Sequence, residues 1–186
     1  MTIVSRIERM CGMRVLLRQA ALTGLLALSV GASPALAAAS APGADQAAFA
    51  RVRAATAAYH DLSAAEAAGY GLFPGCFSDP TGGMGVHYVN FSSVGDGTVD
   101  PMKPEALVYE PLAGGGMRLV AVEYVMIAAS WQGQGTPSVL GHPLTFVPAP
   151  NEFGLPDFYE LHAWLWQPNQ LGMFNEWNPA VSCPGG

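Results

Sequence analysis

The first regular pattern of apolar residues along the chain has the spacing of an α-helix. Between residues 45 and 60, apolar side chains recur every three or four positions, as on one face of a helix: Phe49, Val52, Ala55 and Tyr59. Residues 63–66, Ser-Ala-Ala-Glu, match a capping box and predict a second, short helix. Gly69 can end that helix in the left-handed conformation. We therefore predict two consecutive helices at the start of the patterned region.

After Pro74 the pattern changes to runs of β-branched and aromatic residues, separated by Gly, Pro, Asn and Asp. These runs predict five strands, at residues 84–91, 105–111, 118–127, 139–147 and 157–166. The sequence Ala-Gly-Gly-Gly at 113–116 predicts a hairpin turn between the second and third strands. Because the connections are short, neighbouring strands should be antiparallel. The predicted fold class is α+β, with N-terminal helices followed by a curved antiparallel sheet or small β-barrel.

The first 37 residues differ in composition from the rest of the chain. Four arginines precede the apolar stretch 20–30, and Ala35-Leu36-Ala37 forms a small-residue cleavage site. The apolar stretch is about a dozen residues long, shorter than the roughly 20 that span a membrane. We predict a signal peptide at 1–37, a disordered leader at 38–44 and a single globular domain at 45–186. The expected location is secreted or periplasmic.

The charge of the chain restricts its partners. Removal of residues 1–37 leaves four of the eight Lys and Arg residues and thirteen of the fourteen acidic ones, a formal net charge of −9. This negative field repels phosphate backbones, so a nucleic-acid partner is not expected. No second apolar stretch reaches spanning length, and we predict no membrane anchor after cleavage. The remaining partners are a small molecule or another protein.

Two cysteines, Cys76 and Cys183, remain after the predicted cleavage, and an oxidising compartment allows them to pair. A count of two permits one intrachain bridge. Two free thiols are the alternative, and neither cysteine has the Cys-x-x-Cys spacing of a structural zinc site. We predict a disulfide between Cys76 and Cys183.

Six segments of the chain carry a resemblance to known proteins: GMGVHY (83–88), PEALVYE (104–110), AVEY (121–124), LHAWLW (161–166), GMF (172–174) and WNP (177–179). Together they resemble a family of secreted bacterial proteins that has no assigned activity. The resemblance extends from about Ala55 to Cys183, and it implies one exported domain without implying any chemistry. A weaker likeness is to the cupin metal motif, but residues 85–89 provide one histidine where that motif has two.

Two histidines and two glutamates lie inside predicted strands among large apolar residues: His87, His162, Glu110 and Glu123. A buried imidazole or carboxylate has to be paired, coordinated or, for the acid, protonated, because an unpaired buried polar group costs about 1–3 kcal/mol. Hydrogen bonds within the core would satisfy these groups, and so would a bound ion.

The predicted hairpin limits how the two acids can act. It places Glu110 opposite Leu119 and Glu123 opposite Ala106, on the same side of the hairpin and about 13 Å apart at roughly 3.3 Å per residue. At that distance the two acids cannot bind the same ion. One of them could join the two histidines in a two-histidine, one-carboxylate set, which suits divalent iron, zinc or manganese. The other would pair with a basic side chain.

Aromatic residues are numerous for so small a domain, and five of them lie in or next to the strands that carry these polar groups: Tyr88, Tyr109, Tyr124, Trp164 and Trp166. Rings combined with a few polar groups are typical of ligand pockets, and tyrosine and tryptophan are also common at protein interfaces. A third explanation for the many aromatic residues is that they form the hydrophobic core.

Two hypotheses for the function follow. The first is a secreted pocket protein with a His/Glu polar focus that binds a divalent metal and a small ligand. The second is a non-enzymatic binding module that uses its Trp and Tyr surface, with structural histidines. No Gly-x-Ser-x-Gly elbow or phosphate-binding loop is present in the sequence, so neither covalent hydrolysis nor nucleotide binding is indicated. Whether the protein is an enzyme stays open.

Overall fold

The computed structural model describes residues 44–183. The predicted signal peptide, the predicted leader apart from its last residue, and the last three residues of the chain lie outside the described residues. Within residues 44–183 we find no helix whose length and apolar character would let it cross a membrane.

The first helix, α1, spans Ala44–Thr56 and tightens into a 3-10 turn at Ala57–His60. Phe49 and Val52 are buried on its inner side, as the helical spacing predicts, but the next buried residue is Thr56, and Ala55 of the predicted stripe is exposed. The helix therefore runs where the pattern places it, and its last turn has 3-10 geometry, as is common at helix ends.

The second helix, α2, spans Leu62–Ala67 and begins with a different cap from the predicted one. The carboxylate of Asp61 accepts a hydrogen bond from the backbone N–H of Ser63 at 2.9 Å. Asp61 is therefore the N-cap, and the capping box predicted on Ser63 is wrong by two residues. Gly69 has a φ of +95° just after the helix, in the left-handed region that its sequence position predicts.

The described residues contain eight strands: β1 (Gly71–Asp79), β2 (Gly82–Val89), β3 (Ala106–Pro111), β4 (Met117–Ile127), β5 (Ser138–Val139), β6 (His142–Pro143), β7 (Thr145–Val147) and β8 (Phe158–Ala163). Six of them form an antiparallel sheet in the order β1-β2-β3-β4-β8-β7, and β5 pairs with β6 separately. The large sheet curls strongly into a half-barrel. The predicted α+β class, with helices followed by a curved antiparallel sheet, is confirmed.

Two segments differ from the predicted strands. The edge strand β1 was not predicted, because Pro74 and Gly75 resemble a loop; in the structure they occupy a bulge between Phe73 and Cys76. The single strand predicted at 139–147 is instead three short strands. A turn with positive φ at Leu140 and Gly141 interrupts it.

The register between β3 and β4 also contains a bulge. Ala106 lies opposite Glu123, as predicted, but Glu110 lies opposite Arg118 and not Leu119. The irregularity falls after Val108, where β4 has one residue more than β3. The shift puts a basic side chain directly across from Glu110.

Alternation along the strands gives the sheet two different faces. One packs on the helices and forms the main core, which includes Val86, Tyr88, Leu107, Tyr109, Val122, Tyr124 and Leu161. The other carries smaller apolar clusters together with the buried polar groups, among them His87, Ala106, Val108, Glu123, Glu160 and His162. We call the second face the polar-cluster face. The candidate site lies on it.

The predicted disulfide between Cys76 and Cys183 is confirmed, with a Cα–Cα distance of 5.6 Å. It joins β1 to the last described residue of the chain. Because 107 positions separate the two cysteines, the bridge closes most of the folded domain into one loop.

Glu105 is a buried acid outside the candidate site. It is 2 % exposed, and its Oε2 accepts a hydrogen bond from the backbone N–H of Val125 at 3.1 Å. Burial raises the pKa of Glu105 from 4.5 to about 8. A folded-state pKa above the unfolded one stabilises the fold below about pH 4.5, and this contribution is lost as the pH rises through about 8.

Replacing Glu105 with glutamine should therefore flatten part of the pH dependence of stability. The amide oxygen of Gln can still accept from Val125, but it has no proton to lose. Relative to wild type, we expect Glu105→Gln to gain about 2–4 kcal/mol between pH 5 and pH 8, at roughly 1.4 kcal/mol per pH unit. Urea unfolding of both proteins across this range measures the difference. Parallel curves would show that Glu105 ionises normally in the folded state.

Candidate metal centre

Three polar residues of the polar-cluster face converge from three different strands. His87 lies on β2, Glu123 on β4 and His162 on β8. Glu123 and His162 are direct cross-strand partners, whereas His87 is separated from Glu123 by the intervening strand β3. The residue of β3 opposite Glu123 is Ala106, whose methyl group leaves room for the longer side chains to meet. The period-two alternation of the strands is therefore what puts all three on one face.

The donor atoms of these residues lie close together. His87 Nε2 is 3.3 Å from His162 Nε2 and 3.3 Å from Glu123 Oε2. His162 Nδ1 is 3.7 Å from Glu123 Oε1. Each residue offers one potential ligand atom within 4.8 Å of the other two. Donors bound tetrahedrally to one ion at about 2.0–2.1 Å are roughly 3.3–3.4 Å apart. The two spacings from His87 Nε2 match this value, whereas the 3.7 Å contact with Glu123 is made by the other ring nitrogen of His162. With one donor atom from each residue within 4.8 Å of the others, the cluster could hold a metal ion.

The cluster is almost fully excluded from solvent: His87 and Glu123 are 5 % exposed and His162 is 2 % exposed. Burial lowers the pKa of His87 to about 4. Burial, followed by the neighbouring His87, holds the pKa of His162 well below its usual range. Both imidazoles are therefore neutral at pH 7, which is the form that binds metals.

Two further acids extend the cluster. Glu160 is buried two residues before His162 and interacts with Glu123 on one side and with the half-buried Glu176 on the other. Burial, followed by the charge of Glu160, raises the pKa of Glu123 well above its usual range. Burial also raises the pKa of Glu160 to about 7 and increases that of Glu176. Without a cation Glu123 therefore favours its protonated form, and a divalent ion would have to displace that proton.

One atom of the cluster has no partner. The Nδ1 of His87 is buried and makes no hydrogen bond with any described residue. In a metal-free ring the proton can stay on Nε2 and point to Glu123, 3.3 Å away. A ring that binds an ion through Nε2 carries its proton on Nδ1, where it finds no acceptor, at a cost of about 1–3 kcal/mol to the metal-bound state. His87 is therefore the weakest of the three candidate ligands.

The structure separates Glu110 from this cluster. Its Oε2 accepts a hydrogen bond from Arg118 and its Oε1 accepts from the backbone N–H of Ser182 at 3.2 Å. The pairing of one glutamate with a basic side chain was one of the two roles predicted for these acids. The structure gives that role to Glu110 and the place beside the histidines to Glu123.

A cavity of about 60 Å³ opens next to the cluster. Its polar lining consists of His87, Glu123 and Glu160, and the rest is apolar, mostly phenylalanine. None of the five aromatic residues predicted to line a ligand pocket borders it. The three tyrosines lie on the opposite face of the sheet, in the main core: Tyr88, Tyr109 and Tyr124.

The other side chains predicted for the pocket are used within the fold. The hydroxyls of Tyr109 and Tyr124 donate to the backbone carbonyls of Tyr59 and Pro101. Trp164 stays on the polar-cluster face, where its ring stacks 6.0 Å from that of His162. Trp166 does not, because β8 ends at Ala163 and the chain then turns; its ring packs on the main core, 4.3 Å from His60.

Glu160 and the phenylalanine wall of the cavity were not among the predicted site residues. Glu160 is separated by one residue from His162 in a strand, so alternation alone indicates that both side chains share a face. The phenylalanine wall was missed for a different reason. Phe73 and Phe77 belong to the bulged strand β1, which was not predicted, and Phe153 belongs to a loop.

Comparisons of the chain with protein-family models, with curated proteins and with solved structures find no match. No relative therefore supplies a function. A function has to be inferred from the distances, burial and donor chemistry of His87, Glu123 and His162.

Proposed function

We propose that this protein acts outside the cytoplasm and binds one divalent metal ion through His87, Glu123 and His162, beside a small-ligand cavity. The observation that carries the proposal is the 3.3 Å spacing of His87 Nε2 from both His162 Nε2 and Glu123 Oε2. Two imidazoles and a carboxylate suit iron, zinc or manganese. The absence of any lysine or arginine from the cluster supports the same conclusion, because no cation of the described residues lies there to compensate Glu123.

Three protein ligands leave coordination positions free for water or a ligand. The cavity borders His87 and Glu123, so the free positions would be reached from that side. A bound ion there would act as a Lewis acid or lower the pKa of a coordinated water, and Glu160, which also borders the cavity, would accept or donate a proton. These are the parts that a metal-dependent enzyme requires.

The alternative function, a binding module that uses its Trp and Tyr surface, has less support. Tyr109, Tyr124 and Trp164 are buried, and their polar atoms are bonded to backbone carbonyls. They have little surface to offer a partner.

Metal content is the direct test of the proposal. Purified protein is stripped with a chelator, incubated separately with Fe²⁺, Zn²⁺ and Mn²⁺, desalted and analysed by elemental mass spectrometry. We expect close to one ion per chain with at least one of the three metals. Retention near zero with all of them would refute the metal centre and favour a hydrogen-bonded histidine cluster.

The export part of the proposal makes its own prediction. Expressed from its full sequence in a bacterium, the protein should accumulate outside the cytoplasm with Ala38 as its first residue, because Ala35-Leu36-Ala37 is the predicted cleavage site. Mass spectrometry of the fractionated protein gives its N-terminus. An intact Met1 start in the cytoplasmic fraction would contradict it, and so would a disulfide found only after exposure to air.

A further inference from the structure

The cavity beside the cluster has strongly unequal ends. Nine of its twelve lining residues are apolar, and five of these are phenylalanines. The three polar ones, His87, Glu123 and Glu160, all belong to the cluster. Among the described residues, no lysine, arginine, serine, threonine, asparagine or glutamine borders the cavity. A ligand would therefore meet apolar walls along its body and a polar group at its inner end only.

The aromatic wall is continuous with a candidate metal ligand. The ring centroid of Phe77 is 5.8 Å from that of His87 and 5.1 Å from that of Phe153, in edge-to-face arrangements. Phe153 is in turn 5.8 Å from Phe158. Edge-to-face contacts at these distances are favourable between rings, so the wall is suited to a further aromatic ring.

The loop that carries Phe153 is held in place locally. The side chain of Asn151 donates to the carbonyl of Leu155 at 2.9 Å and accepts from the N–H of Leu155 at 3.1 Å. Leu155 also lines the cavity. The wall is therefore formed before any ligand binds, which reduces the entropy cost of binding.

The size and the lining of the cavity further restrict the class of ligand that it can bind. The volume of about 60 Å³ is well below the roughly 150 Å³ of an apolar cavity that encloses benzene. A ring would be enclosed in part, and its outer edge would contact Phe91, which is 59 % exposed at the rim. Multi-ring molecules and long acyl chains would leave a larger part of their apolar surface outside the cavity than a single ring does. A charged group on the body of the ligand would meet only apolar side chains, which cannot compensate it.

We propose that the cavity binds a small, uncharged, single-ring aromatic molecule with one hydroxyl at its inner end. The ring lies against Phe77 and Phe153, and the hydroxyl faces the free position of the ion held by His87, Glu123 and His162. This inference rests on the proposed metal centre for the hydroxyl, whereas the aromatic wall recognises the ring with or without an ion.

The test uses 4-fluorophenol and the mature, disulfide-bonded protein, in a cobalt(II)-loaded and a chelator-stripped form. Binding is followed by the ¹⁹F line width of the ligand, and coordination by the visible absorption bands of cobalt. We expect a dissociation constant in the millimolar range or tighter, with a change in the cobalt bands.

Phe153→Ala should weaken binding about three- to tenfold. Phe146→Ala, an exposed phenylalanine outside the cavity, should leave it unchanged. Phe153→Leu replaces Phe153→Ala if circular dichroism shows the latter unfolded.

The outcomes separate the two proposals. Cobalt retention without binding of 4-fluorophenol would overturn the ligand proposal and leave the metal centre intact. Failure to retain cobalt would refute the metal centre. The ¹⁹F line width of 4-fluorophenol with the stripped protein would then show whether the cavity binds the ring without an ion. Equal effects of Phe153→Ala and Phe146→Ala would overturn the ligand site, because binding would then occur elsewhere. Binding of glycerol as tight as that of 4-fluorophenol would refute recognition of the ring.

Discussion

His162→Ala should abolish retention of the metal ion. His162 contributes one of only three donor atoms, and its Nε2 lies 3.3 Å from that of His87. Loss of a direct ligand costs more than loss of a residue that merely orients one, which typically lowers affinity 10–100-fold. We expect the affinity to fall more than about 100-fold and no ion to survive desalting. Elemental mass spectrometry of wild type and variant, loaded in parallel, measures this.

The two strand glutamates provide a matched pair for the same experiment. Glu110 and Glu123 are both buried on the polar-cluster face, but only Glu123 lies beside the histidines. Glu123→Gln should lose the ion, because an amide is a far poorer ligand than a carboxylate for these metals. Glu110→Gln should keep it and lose only part of the Arg118 interaction, which is weak because that arginine is half-exposed. Equal metal loss in both variants would indicate general destabilisation instead of ligation.

The His162→Ala variant also tests the alternative in which the histidines are hydrogen-bonded and no ion binds. If no ion binds, His162→Ala leaves Glu123 with fewer partners in an apolar region and should lower stability by an amount that chelators do not change. If an ion binds, a chelator should lower the melting temperature of wild type toward that of the variant, because an ion that binds only the folded state stabilises it. Thermal unfolding with and without chelator distinguishes the two.

Convergence of the histidines was predictable because strand alternation and the cost of buried charge act locally. His87, Glu123 and His162 each lie in an apolar run, and the assignment of each strand fixes its face. Which glutamate joins them was not predictable. The two acids were left as alternatives, and the choice depends on which strand lies across from each. Glu123 pairs with His162 on β8, whereas Glu110 pairs with Arg118 through a bulged register that the sequence does not specify.

The cavity was not predictable for reasons of long-range packing. Pro74 and Gly75 are breakers of regular structure, yet here they form a bulge within an edge strand, where a missing N–H is tolerated. Phe153 lies in a loop, and only the tertiary fold brings it against Phe77. Tyrosine and tryptophan were the aromatic residues nominated for a pocket. The polar atoms of Tyr109, Tyr124 and Trp164 instead donate to backbone carbonyls, and phenylalanine, which has no polar atom to satisfy, lines the cavity.

Reduction of the disulfide should destabilise the domain more than any single surface substitution. The bridge between Cys76 and Cys183 spans 107 positions, and the chain-entropy relation for a loop of that length gives about 4–5 kcal/mol as an upper figure. For a domain of this size, about 1 kcal/mol corresponds to roughly 3 °C, so the melting temperature should fall by about 10 °C. Calorimetry of the exported protein with and without a thiol-free reductant measures the shift.

The double variant Cys76→Ser/Cys183→Ser provides the control. It should melt at a temperature close to that of the reduced wild type, and adding reductant to it should change nothing. Loss of the disulfide should also affect the cavity, because Cys76 is the immediate neighbour of Phe77 in β1. The bridge fixes that edge strand to the end of the domain. We therefore expect reduction to weaken retention of 4-fluorophenol before the domain unfolds. Two free thiols in unfolded, unreduced protein, or an unchanged melting temperature, would contradict the bridge as the stabilising element.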